Sequence, residues 1–342
     1  MSSFSSEPDA PRPTQSGRLS TRRLAADPAS IADAAAVLRA GGLVAFATET
    51  VYGLGADATS DTAVAKIYAA KGRPSFNPLI AHVADLAAAR RQAQFNADAE
   101  KLAEAFWPGP LTLVLPFASD GSVCQLARAG LDTIALRVPA HSIASALLTA
   151  TGRPIAAPSA NKSGHVSPVT AQHVCDDLDG LIDCVLDAGP TEVGLESTIV
   201  ACLDGEVALL RPGGVAREAI EALLGRKLAD PARQDVTSDD AAPRAPGQLL
   251  SHYAPRSRVR LAAHHLEAGE AGLDFAGQFG SGDHILDLSP NGNLTEAAAN
   301  LFRHLRALDR YGAGTIAVAP IPETGLGEAI NDRLRRAAAD RP

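Results

Sequence analysis

Aromatic residues, cysteine and long apolar runs are all scarce in this sequence. Phenylalanine, tyrosine and tryptophan make up only 4% of its 342 residues, so a core must be built mainly from Ala, Val, Leu and Ile. No apolar run approaches the ~18 residues of a membrane-spanning helix, and we expect no membrane association. The four cysteines form no C-x-x-C pair, which argues against zinc and redox patterns. These absences predict a soluble, cytoplasmic protein.

The first residues also lack the apolar segment of a secretory signal. They contain Ser and Arg, as transit peptides do, but Glu7 and Asp9 argue against that interpretation. We therefore expect residues 1–29 to form a flexible tail.

Basic residues are outnumbered by acidic ones. The chain carries a net charge of −8, and residues 41–215 alone carry −7. Such a body disfavours nonspecific binding to nucleic acid, because phosphate backbones attract basic surfaces. An RNA-binding module, the main non-enzymatic alternative, would need a broad basic face. Any anion site must instead come from a few well-placed Lys and Arg residues.

Short apolar segments alternate with helical ones, which predicts an α/β fold. Residues 43–48 have the pattern of a buried strand, and the Gly-, Thr- and Asp-rich residues 48–61 are predicted to be a loop. Ser30 is predicted to cap the first helix. Strands at 198–203 and 206–211 are predicted to form a hairpin around the intervening Asp-Gly pair.

Composition divides the chain into units. Residues 30–225 form the first α/β unit. Residues 226–257 are polar and proline-rich, which is typical of a linker between domains. Residues 258–342 contain a second, smaller set of strand and helix patterns.

Several polar clusters lie beside predicted strands. They are T-E-T-V-Y-G-L-G at 48–55, K-G-R-P…N-P-L at 71–79, P-S-A-N-K-S-G at 158–164, L-E-S-T at 195–198 and L-R-P-G-G at 210–214. Glycine lets a backbone approach a ligand closely, and hydroxyl groups can hydrogen-bond to it. Each cluster alone is also compatible with an ordinary turn or helix cap.

Cations occur in two of these clusters. Lys71 and Arg73 suit a phosphate, Lys as a point charge and Arg as a bidentate fork. They would equally suit the negative end of a helix dipole. Arg211 ends an apolar hairpin, where a buried guanidinium needs an anionic partner, either a ligand or a protein carboxylate.

A nucleophile is not evident. The sequence has no P-loop, no Ser-His-Asp or Cys-His arrangement, and no histidine spacing typical of metal ligands. His82 lies in an apolar strand, where a core histidine is the default interpretation. Positioning groups and cations without a nucleophile favour transfer between bound substrates, such as nucleotidyl transfer.

Taken in order, the clusters resemble the motifs of the Sua5/YciO/YrdC family. Residues 32–225 resemble its catalytic YrdC-like domain, P-G-Q-L-L-S-H-Y-A-P at 246–255 resembles the linker motif of the two-domain Sua5 branch, and G-L-G-E-A-I-N-D-R-L-R-R-A-A near the end resembles its C-terminal domain. The resemblance implies a YrdC-like twisted sheet with a concave, positively charged cavity, followed by a smaller α/β domain.

The activity implied by the resemblance is L-threonylcarbamoyladenylate synthesis. L-threonine, bicarbonate and ATP would give threonylcarbamoyl-AMP and pyrophosphate, with Mg²⁺ carried on the ATP phosphates and no dedicated protein ligands for a metal. The product would serve N6-threonylcarbamoyladenosine formation at position 37 of tRNA through a separate transferase, so tRNA binding is not required. Hydrogenase-maturation carbamoyltransferases share the YrdC-like domain, but their acylphosphatase-like domain and zinc fingers are not visible here.

The resemblance also assigns residues. Threonine would contact Thr50, His82, Arg137, Ser197 and the backbone near Ala157. ATP would be surrounded by Lys71, Arg73, Asn77, Thr133, Ser159, Asn161, Ser167, Arg211 and Tyr253. Lys71 and Arg73 would be catalytic, because they would neutralise charge on the departing pyrophosphate. Since prolines stiffen residues 246–255, we expect that segment to be a lid that brings Tyr253 onto the nucleotide.

Overall fold

The computed structural model describes residues 20–74, 76–230 and 253–339 of the chain. Within these ranges, a first domain is built on a large mixed sheet and a second domain on a small parallel sheet. The α/β class is confirmed. The predicted tail up to residue 19 and the predicted linker from 231 to 252 lie outside the described residues. Most of the predicted lid therefore lies outside them too.

Ten strands of the described chain form the sheet of the first domain. They are β1 (Arg22–Ala25), β2 (Val44–Ala47), β3 (Tyr52–Asp57), β4 (Ile80–His82), β5 (Leu111–Pro116), β6 (Thr133–Arg137), β7 (Ile155–Ala156), β8 (Cys184–Asp187), β9 (Thr198–Leu203) and β10 (Glu206–Arg211). Their order across the sheet is β1-β8-β2-β3-β7-β4-β6-β5-β9-β10. The predicted hairpin is present as the antiparallel pair β9 and β10.

Helices of the first domain connect these strands. Those in the described residues are α1 (Pro28–Arg39), α2 (Asp61–Lys71), α3 (Leu86–Arg90), α4 (Ala97–Phe106), α5 (Ser142–Thr151), α6 (Ala171–Leu178) and α7 (Arg217–Leu224). The prediction that Ser30 caps α1 is wrong. Asp27 caps the helix by accepting a hydrogen bond from the Ser30 amide at 2.8 Å, and Pro28 follows it, where its missing N–H costs nothing.

An edge strand replaces the last part of the predicted tail. Residues 22–25 pair in parallel with β8, and the Arg22 amide donates to the Asp183 carbonyl at 3.0 Å. Charged side chains concealed this strand in the sequence, because Arg22 and Arg23 form exposed ion pairs with Asp33 and Asp187. The tail prediction is therefore wrong for the described residues before 30.

A glycine-containing strand replaces part of the predicted loop at 48–61. Tyr52–Asp57 forms β3, antiparallel to both β2 and β7 and buried along its whole length. A Cβ on Gly55 would lie 2.9 Å from the Phe46 ring and 3.2 Å from the Val44 carbonyl oxygen. Glycine is used here because neighbouring groups approach the backbone closely, not because the chain turns.

The faces of this sheet are covered differently. One face packs on the main core, to which α2, α4, α6 and α7 contribute. On the opposite face, α1 and α5 cover β2, β7 and β8. Farther along that face lies a small apolar cluster of Ile80, Val114, Ala135, Ile199 and Ala201, which contains no helix residue. Among the described residues no helix packs on this part of the sheet, which we call the concave floor.

The second domain has a four-stranded parallel sheet in the described residues, with the order β11-β14-β12-β13. Its elements are β11 (Arg258–Arg260), β12 (Ala271–Asp274), β13 (Ile285–Asp287), α8 (Leu294–Tyr311), β14 (Thr315–Val318) and α9 (Leu326–Ala338). No helix in the described part of the chain is both long and apolar enough to cross a membrane.

The two domains share one apolar cluster. Val51, Val166 and Leu195 of the first domain pack with the core residues of α8 and β12. Gly194 has a φ of +71°, and a Cβ there would lie 2.4 Å from the Ala298 carbonyl oxygen of α8. The interface therefore depends on backbone-to-backbone contact that a larger residue would prevent.

Candidate active site

A cavity of about 560 Å³, its open mouth included, lies on the concave floor beside the second domain. Many of the residues assigned by resemblance line it: Arg73, His82, Arg137, Ala157, Ser159, Ser197, Arg211 and Tyr253. Thr48 and Glu196 line it as well, although neither was assigned a role from the sequence.

The turn between β2 and β3 forms one wall. Thr48 Oγ1 donates to the Val51 carbonyl at 2.7 Å and accepts from the Thr50 and Val51 amides at 3.2 Å. The Thr48 and Thr50 hydroxyls lie 2.8 Å apart. Thr50 is fully buried, so its hydroxyl is fixed by Thr48, and Thr48 is the threonine that faces the cavity.

The segment after β7 forms the opposite wall. Its backbone runs beside β3, with the Leu54 amide donating to the Pro158 carbonyl at 2.7 Å. Lys71, the last residue of α2, donates to the Ser159 carbonyl at 2.5 Å and also to the Asn161 carbonyl. Burial, and secondly the charge of Arg73, hold the pKa of Lys71 well below its usual range. The amine thus holds the wall together and does not itself line the cavity.

Arg73 lines the cavity, and its Nη2 lies 3.5 Å from the carbonyl oxygen of Asn77. Arg73 Nη2 donates to the Pro78 carbonyl at 3.2 Å, while its Nε has no hydrogen-bond partner among the described residues. Burial lowers the pKa of Arg73 to about 10. Both side-chain polar atoms of Asn77 are buried and unpartnered. Unsatisfied buried groups are costly, and an anionic ligand would satisfy these donors.

His82 and Arg137 lie side by side at the ends of β4 and β6. Arg137 Nη2 is 2.7 Å from Glu49 Oε1, an ion pair that lacks the alignment of a hydrogen bond. Burial, and secondly the charge of Arg137, lower the pKa of His82 to about 3, so its imidazole is neutral near pH 7. Sequence reasoning missed Glu49, although it lies within the first motif.

Arg211 reaches the cavity through a β-bulge. The pairing of β10 with β9 shifts between Leu209 and Arg211, so that Arg211 lies opposite Ile199 of the concave floor. A bulge redirects a side chain in this way. The guanidinium donates to the Ser197 carbonyl at 2.8 Å, and the Ser197 hydroxyl lies 2.7 Å from that of Thr112.

Glu196 connects the cavity to the second domain. Its Oε1 accepts a hydrogen bond from the Ser167 hydroxyl at 2.5 Å, and its Oε2 accepts one from Arg333 Nε of α9 at 2.8 Å. Burial raises the pKa of Glu196, but Arg333 and Arg211 lower it by more, and it stays below its usual range. Arg333 was not anticipated, because its partner lies far away in the sequence.

Six of the assigned residues do not line the cavity: Thr50, Lys71, Asn77, Thr133, Asn161 and Ser167. Asn161 Nδ2 donates to the His165 carbonyl at 2.8 Å, and its Oδ1 is buried without a partner. Thr133 begins β6 and shares a face with Arg137, about 13 Å away at the rise of a strand. Tyr253 is buried against the second domain, with its ring 5.6 Å from that of Phe302.

Carboxylates are few in the cavity wall. The described residues contain no group of three or more His, Cys, Asp or Glu side chains that could hold a metal ion. The charged groups facing the cavity are mostly cations, which suits an anionic ligand.

Family models match almost the whole described chain. The Sua5_yciO_yrdC model, described as telomere recombination, matches residues 36–213. The model for the C-terminal domain of threonylcarbamoyl-AMP synthase matches residues 215–339, which include Tyr253 and Arg333.

Characterised relatives are similar over nearly their full length. The chain is 44% identical over 326 residues to a threonylcarbamoyl-AMP synthase of Pyrococcus abyssi, covering 90% of this chain and 94% of that one. It is 41% identical over 338 residues to a threonylcarbamoyl-AMP synthase of Bacillus subtilis, covering 94% and 96%. The structure of P. abyssi Sua5 complexed with L-threonine superposes with a TM-score of 0.83 at 40% identity, covering 93% and 97%.

Proposed function

Because this chain belongs to the Sua5/YciO/YrdC family, we propose that it is an L-threonylcarbamoyladenylate synthase. It would convert L-threonine, bicarbonate and ATP into threonylcarbamoyl-AMP and pyrophosphate. The product would be the donor for N6-threonylcarbamoyladenosine at position 37 of tRNA, transferred by a separate enzyme. Similarity to synthases of two organisms over nearly their full length supports an enzyme of the nucleotidyltransferase type.

One observation carries the proposal: the same cavity is lined by groups that would hold an amino acid and by cations that would hold phosphates. The first, the amino-acid end, would be formed by Arg137, His82 and Thr48. The second, the phosphate end, would be formed by Arg73 and Arg211, which line the same cavity. An amino acid and ATP bound in this one cavity would have their reacting groups close together. Such placement is the main requirement for a reaction that uses no protein nucleophile.

The amino-acid end suits threonine. The guanidinium of Arg137 pairs with Glu49 in the structure. When threonine binds, the substrate carboxylate would replace Glu49 as the partner of this guanidinium. The Thr48 and Ser197 hydroxyls line the cavity and are held by Thr50 and Thr112, so they would distinguish a substrate hydroxyl from a methyl group. A neutral His82 can accept or donate one hydrogen bond without adding charge.

The phosphate end suits ATP. Arg73, Arg211 and the side-chain amide of Asn77 would surround the phosphates, and Ser159, Asn161 and Ser167 would lie beside them. Thr133, at the far end of β6, would lie toward the nucleoside, and Tyr253 would close the cavity from the second domain. Lys71 would act mainly by fixing the Ser159 and Asn161 backbone.

The chemical step would take place between the two ends. The threonine amine condenses with bicarbonate to give a carbamate, and a molecule of water is released. A carbamate oxygen then attacks the α-phosphorus of ATP, a new P–O bond forms, and the bond to the β-phosphate oxygen breaks to release pyrophosphate. Arg73 and Arg211 would stabilise the charge that builds up on the leaving group. Mg²⁺ would enter with ATP as part of the substrate, since the wall offers cations and few carboxylates.

The test supplies ATP, bicarbonate and one amino acid, and follows pyrophosphate release and the adenylate product together. We expect both signals with L-threonine and neither with L-valine, which replaces the hydroxyl by a methyl group. Omitting bicarbonate provides the matched control. Equal product formation with valine, or pyrophosphate release without an amino-acid adenylate, would contradict the proposal.

A further inference from the structure

Arg333 is the largest fully buried side chain of the described residues. It belongs to α9 of the second domain, yet its guanidinium lies among residues of the first. Nε donates to Glu196 Oε2 at 2.8 Å, and Nη2 donates to the Pro212 carbonyl at 3.0 Å. Nη1 is held by the adjacent Asp332 at 2.5 Å. All three nitrogens of this guanidinium are therefore committed, which fixes its position.

The hydrogen-bond partners of Arg333 lie beside residues that we propose bind ATP. Glu196 lines the cavity and accepts the hydrogen bond of Ser167. Pro212 follows Arg211, so the hydrogen bond to its carbonyl holds the chain just after that cation. One side chain of the second domain thus supports two groups that the ATP site needs.

Charge gives a second reason for this arrangement. Glu196 places a negative charge in a wall that must accept phosphates, and an unpaired buried carboxylate is costly. Arg333 compensates that charge from the side away from the cavity. Without it, Glu196 would attract Arg211 more strongly and oppose the binding of an anion at the same place.

Tyr253 is held by the same side chain. The Cζ atom of Arg333 lies 5.2 Å from the centre of the Tyr253 ring, within the range of a cation–π contact. Phe302 of α8 stacks on the ring at an interplanar angle of 20°. The tyrosine that lines the cavity is thus positioned by the second domain.

We propose that Arg333 is a positioning residue for ATP binding, acting through Glu196, Ser167 and Tyr253, and that the second domain thereby completes the active site. The proposal rests on the synthase function argued above. It differs from a purely structural role, which would predict that any interdomain ion pair has the same importance.

Arg217 provides the matched control. It donates to Glu328 Oε1 at 2.7 Å, so it also joins the first domain to α9, but it does not line the cavity. Its side chain is 23% exposed. The variants Arg333→Met and Arg217→Met both remove interdomain hydrogen bonds of α9, and only the first disturbs Glu196.

The experiment measures KM for ATP, KM for L-threonine, kcat and the melting temperature in full-length protein. For Arg333→Met we expect KM for ATP to rise by about 10- to 100-fold, the scale of a displaced positioning group, with a much smaller change for threonine. Arg217→Met should leave both KM values within about twofold while lowering the melting temperature. Arg333→Lys, which keeps the charge but not the fork, should be intermediate.

A double-mutant cycle tests the route through Glu196. If Arg333 acts through that carboxylate, Arg333→Met should add little in a Glu196→Gln background. A change in KM for ATP equal to that of Arg217→Met, or fully additive effects in the cycle, would overturn the inference.

Binding of ATP alone, measured by calorimetry, separates the two proposals. Wild type that binds ATP but makes no threonylcarbamoyl-AMP would contradict the proposed function, and loss of ATP binding in Arg333→Met would still support the role of Arg333. If Arg333→Met does not fold, Arg333→Lys carries the same comparison, and unchanged ATP affinity in Arg333→Lys and in Glu196→Gln overturns the inference.

Discussion

The cavity of the first domain and the carboxyl edge of the second domain's sheet both contain buried polar side chains, but these differ in how they are satisfied. At the edge of the second sheet, Asp274 accepts hydrogen bonds from the Phe275 and Phe279 amides at 2.7 and 3.0 Å. Ser289 donates to Glu296 at 2.5 Å. The polar groups of this edge bond to one another and stabilise the local turns.

Around the cavity, several buried atoms have no hydrogen-bond partner among the described residues. They belong to Glu49, Arg73, Asn77, His82, Arg137 and Asn161. In the described part of the second domain such atoms occur only on α8, in His304 and Arg306. The comparison teaches that unsatisfied polar atoms, rather than polar residues at strand ends, indicate a ligand site. Leaving these atoms without hydrogen bonds lowers the stability of the fold, and a bound ligand could supply the missing partners.

The largest effect that tests this comparison is expected at Arg73. Arg73→Met should lower kcat/KM by about 100-fold, the scale of losing one donor to developing charge. The free energy of unfolding should not fall, because a buried guanidinium with an unpartnered Nε contributes little to it. Steady-state kinetics and urea unfolding measure the two quantities. Wild-type turnover at saturating substrates would remove Arg73 from the site.

Arg137 should show a smaller effect on binding together with a cost in stability. Arg137→Ala should weaken threonine binding by about 1.5–3 kcal/mol, the scale of a charge-assisted hydrogen bond, and ATP binding much less. It should also destabilise the fold, because Glu49 loses its only ion-pair partner among the described residues. Adding Glu49→Gln should restore stability but not threonine binding. Calorimetric titration measures the affinity of the variant for threonine and for ATP. Equal weakening of the two affinities would count against placing Arg137 at the threonine site.

The pH dependence of stability should reveal His82. Its pKa is about 3 in the folded protein and about 6.5 when unfolded, so below pH 6.5 the unfolded chain binds a proton that the folded one does not. Stability is therefore lost as the pH falls from about 6.5 toward 3, with a contribution of about 2 kcal/mol at pH 5. His82→Asn should remove that part of the pH dependence of urea unfolding, whereas the exposed His264→Asn should not. Identical pH profiles for all three proteins would refute this.

The smallest effect is expected on the surface of the second domain. Arg335 pairs with Glu323 at 2.9 Å, and both side chains are more than half exposed. Arg335→Gln should change the free energy of unfolding by less than about 1 kcal/mol, because water and salt screen such pairs. Activity should stay the same, although Arg335 lies two residues from Arg333 on α9. A loss of activity here would show that α9 as a whole, and not Arg333, supports the site.

Much of the fold and several site residues could be predicted because their signals are local. The β9–β10 hairpin is indicated by two apolar segments around an Asp-Gly pair. The two cations at the end of α2 are separated by a single residue in the sequence. Arg211 was correctly identified as unusual for an apolar hairpin. The carboxylate near it, Glu196, could not be found in the same way, because proximity in space leaves no local pattern.

Other features required the three-dimensional arrangement. β3 looks like a loop because its glycines meet a ring and a carbonyl that only the folded sheet brings close. The ion pair of Glu49 with Arg137 joins the ends of two strands that are far apart in the sequence. Arg333 and Glu196 belong to different domains. For β3 and for Glu49 the missing information was the order of the strands, and for Arg333 it was the packing of the two domains. Local periodicity contains neither.

That strand order also has a consequence for how the chain is made. β8 lies between β1 and β2, so a protein emerging from the ribosome exposes both of those strands long before their shared neighbour has been synthesised. β9 reaches its place beside β5 equally late. Pairings so distant in sequence slow folding and leave strand edges open to wrong partners in the meantime. During translation this sheet should therefore depend on chaperones, and its first stable form should appear only after β10 has left the ribosome.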